Sequence, residues 1–199
     1  MRSGPALGLI ETCSIARGMV VCDSMVKRAA VDVLEAFTVS PGRFVILVAG
    51  EVAEVEESLA AGLTSAAEEL LDQLFLPHPH LRLLPAIRRL PVTPAPTIEA
   101  VAIYETTTIA STLLAADAAL KAAEVELLEV RLATGIGGKA YFLLTGLLHE
   151  AQAALEAARA AIEATRTVKV ELIPRPHPDF IRAVVQQAPA TAHPTSEPG

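Results

Sequence analysis

The chain has 199 residues, 52% of them hydrophobic, and its 16 Lys and Arg against 23 Asp and Glu give a formal net charge of -7. That balance excludes nucleic acid as a natural partner, because phosphate binding runs on clustered cationic side chains. It has no uninterrupted apolar stretch of the roughly 20 residues that span a bilayer, and MRSGPALGLIE at the start has no charged-then-apolar leader pattern, so a soluble, cytosolic protein without a membrane partner is expected.

Taken in chain order, Leu7–Glu11 is a short apolar run, a strand, ending at Thr12 and Ser14, either of which can cap a helix. In that helix Ile15, Met19, Cys22, Val26 and Ala29 recur at steps of three and four, which predicts an amphipathic helix laid on a sheet with those residues inward. Val31, Val33, Glu35, Phe37 and Val39 then follow a period of two, and FVILVAG (44–50) comes after Ser40-Pro41-Gly42, so two strands joined by a tight loop are expected. Helical spacing returns from Val52 to Leu70, and a strand around Leu74–Leu84 precedes a short helical end near Ile87. The second half is read as strand Ala100–Glu105, helix Ile109–Ala123, strands Val125–Ala133 and Ala140–Thr145, helix Leu147–Thr165, strand Thr167–Ile173 and helix Pro178–Gln187. Between the halves LPVTPAPT (90–97), with three prolines, is expected to be a short stiff connector, and the polar, Pro-rich end from 188 to 199 a disordered tail.

The two halves are copies. LGLIETCSIARGMVVCDSMVKRAAV (7–31) aligns with VAIYETTTIASTLLAADAALKAAEV (101–125), so that Glu11 falls on Glu105, Asp23 on Asp117 and Lys27 on Lys121, each 94 positions apart. Gly50 then falls on Gly146, and LPHPH (76–80) on IPRPH (173–177). A period this long is a small domain and not a solenoid repeat. The expectation is therefore an α/β (α+β) chain of two tandem ferredoxin-like sandwiches, each an antiparallel sheet with helices in βαββαβ order: a first domain at 5–90, a linker at 91–97 and a second domain at 98–187. With aromatic residues at 4% and no Trp, such cores rely on small and branched side chains and favour flat, tight interfaces over deep cavities.

No catalytic constellation is legible. Glu51, Glu54, Glu56, Glu57, Glu68 and Glu69 read as a solvated helix face. His78 and His80 could share a metal on a strand, but no third ligand is identifiable and Arg175 replaces His78 in the second copy, so no metal is assigned. Gly135-Ile136-Gly137-Gly138-Lys139 lacks the phosphate-loop spacing and joins two strands instead of opening a helix. Cys13 and Cys22 make no CxxC and read as reduced packing thiols.

The LGLIET strand, the D-x-x-x-K-x-A helix ends (23–29 and 117–123), the loops SPGRF (40–44) and GIGGK (135–139) and the terminal IPRPH resemble the bacterial microcompartment shell proteins of tandem-domain type, most of all those of propanediol-utilisation compartments. The resemblance implies a non-enzymatic shell protein of a cytoplasmic microcompartment, a homotrimer forming a pseudohexameric tile that joins other microcompartment shell proteins edge to edge. It places Ser40, Pro41, Gly42, Ile136, Gly137 and Gly138 around a central pore for small metabolites, and Lys27, Lys121, His78 and Arg175 at the tile edges. Some tandem members hold an iron–sulfur cluster through a first-loop cysteine; here Ser40 stands in that loop, and no cofactor is expected. A trimeric ligand-binding or signalling protein, taking a small anion near Arg43 and Lys139, is the alternative.

Overall fold

The computed structural model describes residues 6–88, 98–133 and 135–185, and the expected connector at 90–97 and tail at 188–199 lie outside these described residues. The first copy runs β1 (Ala6–Thr12), α1 (Ile15–Arg28), β2 (Asp32–Val39), β3 (Arg43–Gly50), α2 (Val52–Ala66), β4 (Leu70–Leu76) and a short α3 (Leu83–Ile87). The second runs β5 (Ala100–Thr106), α4 (Ile109–Ala122), β6 (Glu126–Arg131), β7 (Ala140–Gly146), α5 (Leu148–Ala161), β8 (Thr167–Pro174) and α6 (Pro178–Phe180). The sheets are antiparallel, ordered β2-β3-β1-β4 and β6-β7-β5-β8, so the duplicated βαββαβ expectation holds.

Local chemistry sets the boundaries. Ser14 and Thr108 cap α1 and α4, each side chain accepting a backbone N–H three residues on. The helix expected to reach Leu70 stops at Ala66, because Ala67 turns to φ 49° and donates its N–H back to Leu63. The strand expected at Leu74–Leu84 begins earlier, at Leu70, and ends at Leu76, since Pro77 and Pro79 cannot donate to a ladder. The final helix is shorter than expected: α6 passes at once into a π-turn over Ile181–Val185. β2 carries a bulge between Val33 and Glu35, which flips the alternation, leaving Val33 exposed and turning Leu34 toward the core beside Phe37.

Four layers result. α1 and α2 cover one face of the first sheet, where Val21, Met25, Val55 and Leu59 meet Ile10, Phe44, Ile46 and Val48. The other face, carrying Leu7, Leu9, Val45, Leu47 and Leu74, packs against α4, which with α5 also covers the inner face of the second sheet. All seven residues of β1 are consequently buried. On β5 the outward Ile103 and Glu105 are only half-buried, because no helix among the described residues packs over the second sheet's outer face.

This arrangement corrects the expected stripe of α1. Its buried residues are Gly18, Val21 and Met25, whereas Met19 and Val26 point away from the sheet. Gly18 is required where it sits: an added Cβ would lie 2.4 Å from the Phe44 Cβ.

Candidate functional site

Three features outside the cores carry chemistry: the strand loops, the joint between the copies, and a groove beside Lys121. The loops meet. Ser40-Pro41 has a cis peptide bond, and Gly42, Gly135, Gly137 and Gly138 all take positive φ, which glycine adopts without steric cost. A Cβ on Gly138 would lie 3.0 Å from the Ser40 carbonyl oxygen, so the two loops expected to share a rim lie side by side. Arg43 ties them: its Nη1 donates to the carbonyls of Gly138 and Thr107, both at 3.3 Å. Lys139, at the matching place of the second copy, pairs with Glu105 at 2.9 Å. Lys139 is thus neutralised by a carboxylate, while Arg43 is held by two neutral carbonyls and keeps its charge.

The joint between the copies is polar at one end. Glu11, buried in β1, accepts the Ala110 N–H through its Oε1 at 2.8 Å, at the first turn of α4. Burial pushes its carboxyl up to about 7; the Ala110 N–H and the Arg43 guanidinium oppose this, while the Asp72 charge adds to it. Asp72, opposite Glu11 on β4, accepts from Thr108 Oγ1 at 2.5 Å and Ser111 Oγ at 3.2 Å, with Arg166 Nη1 3.9 Å away. In the sequence Glu11 stands out only by its alignment with Glu105. A carboxylate inside an otherwise apolar strand was the signal of a buried polar contact.

The expected edge residues divide. Lys27 pairs with Asp23 on the surface at 2.6 Å. Lys121 pairs with Asp117, also at 2.6 Å, but this carboxylate is buried and accepts the His80 backbone N–H at 2.6 Å. Lys121, His80, Arg82, Glu124, Glu126 and Glu150 line an open groove. Burial, first, and the nearby Arg82 lower the His80 pKa. His80 Nδ1 accepts the Arg82 N–H at 3.3 Å, and among the described residues no three His, Cys, Asp or Glu side chains are grouped to hold a metal. His78 lies in the loop after β4, and Arg175, at φ 50°, donates its N–H to Glu99 in the loop after β8.

Both thiols are free, and Cys22, half-buried on α1, packs against the first core as expected; Cys13 does not, being exposed and donating its S–H to Glu69 at 2.7 Å. The Glu69 bond raises the Cys13 pKa, and burial raises that of Cys22. Neither loop contains a cysteine, so their residues do not fit a thiolate-held cluster. No helix among the described residues is long and apolar enough to cross a membrane.

The BMC domain family model matches this chain twice, at residues 6–79 and 100–176. The chain is 38% identical over 182 residues to the bacterial microcompartment shell protein PduT of Citrobacter freundii, covering 91% of this chain and 98% of that protein. It is 35% identical over 79 residues to the carboxysome shell protein CcmK2 of Synechococcus elongatus, 38% of this chain and 78% of the relative. Among solved structures, a microcompartments protein from Desulfitobacterium hafniense superposes with a TM-score of 0.78 at 42% identity, over 89% of this chain and 98% of the other. The fold is shared with a fused permuted hexameric shell protein of the RMM microcompartment, at a TM-score of 0.59 and 20% identity, over 78% and 82% of the two chains.

Proposed function

The chain belongs to the BMC-domain family, and from that premise we propose that it is a structural, non-catalytic shell protein of a bacterial microcompartment in the cytoplasm, three copies closing into a six-lobed tile. The two shell domains are residues 5–90 and 98–187. Front-to-back closure of identical chains gives a ring with cyclic symmetry.

The observation that carries this reading is a face buried once and exposed once. On α4, Leu113 is 0% and Leu120 5% exposed, buried as α4 packs on the first sheet. Their counterparts on α1, Met19 and Val26, are 56% and 41% exposed. The outer face of the second sheet, where Ile103 and Tyr141 are half-buried, is covered by no helix among the described residues. A second copy's α1 supplies that helix, and its own second sheet then awaits a third.

Closure brings the paired loops around the axis, with Ser40, Pro41, Gly42, Ile136, Gly137 and Gly138 lining a pore for small polar metabolites; exposed backbone dipoles and narrow width would set its selectivity. Lys27, Lys121, His78 and Arg175 fall on the rim, where tiles meet other shell proteins. Replacing Met19 by Glu tests the reading by placing a charge on the closing face and leaving the chain's own core alone. By light scattering the parent is expected to be a trimer and to form hexagonal sheets or tubes by electron microscopy when concentrated. The variant is expected to be a folded monomer; a parent that stays monomeric, or a variant that trimerises as well as the parent, refutes the reading.

A further inference from the structure

The joint inside the chain is a template for the joint between chains, and one part of it is inverted. Inside, the first sheet presents Asp72 to Arg166 of the second copy. Backbone pairing fixes what stands at these places elsewhere. Lys169 lies opposite Glu105 as Asp72 lies opposite Glu11. The Glu69 carbonyl accepts the Cys13 N–H at 2.9 Å as the Arg166 carbonyl accepts the Thr107 N–H at 2.9 Å. So the place of Asp72 is held in the second sheet by Lys169, and the place of Arg166 in the first copy by Glu69. Both signs are reversed together. Lys169 is exposed and meets its own strand neighbour Glu171 at 3.2 Å.

We infer that the outer face of the second sheet recognises a second copy of this chain through a charge-inverted version of the internal pair, Lys169 against the partner's Glu69. The inference rests on the front-to-back ring proposed above and adds what directs α1 to the correct sheet. An incoming α1 that displaced α4 from the first sheet would set its Glu69 against Asp72. An α4 transferred to the second sheet would set Arg166 against Lys169. Each exchange juxtaposes like charges, so the correct closure is favoured as much by repulsion in the alternatives as by its own attraction. Arg17 takes the place of Ser111, whose Oγ lies 3.2 Å from Asp72, so on the incoming helix it comes beside Lys169 and adds a second cation for Glu69 and for Glu171 of the facing sheet to balance.

The test is a charge-swap cycle in the full chain: Lys169→Asp, Glu69→Arg, and both together, which rebuilds the Asp–Arg pair between molecules. Mass photometry across a dilution series gives the concentration at which half the trimer has dissociated. Each single variant is expected to raise it about tenfold at low salt, less at high salt, and the combination to return it to within about threefold of the parent. Thermal unfolding of each variant, measured alongside, separates a lost joint from a lost fold. Singles that match the parent, or a combination as weak as the two losses multiplied, overturn the inference while leaving the ring intact. A parent that is monomeric at every concentration overturns both.

Discussion

Replacing Glu11 by Gln removes a titrating group from between the two halves of the chain, and its effect has a sign that follows from burial. The carboxyl titrates at about 7 in the folded chain against 4.5 for an exposed glutamate, chiefly because the charged form is out of water. The folded state therefore holds this proton more tightly than the unfolded chain. Its stabilising contribution is complete below pH 4.5, is lost as pH rises toward 7, and is absent above. The difference amounts to about 3 kcal/mol, at about 1.4 kcal/mol per pH unit. The Gln side-chain oxygen can still accept the Ala110 N–H, and its amide can face Asp72, so the variant keeps the geometry without the charge. Urea unfolding at fixed protein concentration and ionic strength, from pH 4.5 to 8, is the assay, since association couples stability to concentration. Glu11→Gln is expected to match the parent at pH 4.5 and to exceed it by about 2–3 kcal/mol at pH 8. A difference independent of pH, or a variant less stable than the parent at pH 8, would refute the reasoning.

Arg43 acts on the same titration from the other side. Arg43→Ala leaves the Gly138 and Thr107 carbonyls without that donor and removes a charge that lowers the Glu11 pKa, so in the same assay the fall in stability should begin at the same pH but continue to higher pH and grow larger. Gly18→Ala forces a Cβ to within 2.4 Å of the Phe44 Cβ, which cannot swing aside as a side-chain tip could. Overpacking costs about 1–3 kcal/mol and the helix gains up to about 1 from alanine, so a net loss of about 1–2 kcal/mol by thermal denaturation is expected.

The fold was legible because the duplication constrained every element twice, and the β-branched runs and capping hydroxyls agreed with it. The register of α1 was not. A search for one apolar stripe assumes one core, and α1 is apolar on two sides: Val21 and Met25 face its own sheet, while Met19 and Val26 form the face whose copy on α4 is buried. The sequence stripe found the second of these. The end of α2 was missed because a non-glycine residue at positive φ leaves no compositional mark. The loops and edge lysines came from family resemblance, whereas the joint residues Glu11, Asp72 and Arg166 needed coordinates, since they are brought together from strands and a turn far apart in the chain.

The differences between the two copies follow from when each joint forms. The internal joint is made once, as the chain folds, and never faces water, so α4 can carry Ile109, Ala110, Leu113, Ala116 and Leu120 as a nearly continuous apolar face, with Asp117 buried and satisfied by Lys121 and the His80 N–H. In the proposed ring the matching face of α1 must be tolerated in water before assembly. It keeps Met19, Cys22 and Val26 and carries Arg17 where α4 has Ser111, while Asp23 and Lys27 recur on α4 as Asp117 and Lys121; apolar residues with a charge among them are the mixed composition of an interface between separately folded chains. On the proposed ring, divergence after duplication has kept both faces apolar, added a cation at Arg17 and reversed the signs of the Asp72–Arg166 pair as Lys169 and Glu69. On this argument the residues that differ most between copies, Arg17 against Ser111, Glu69 against Arg166 and Asp72 against Lys169, are the ones that tell the two joints apart.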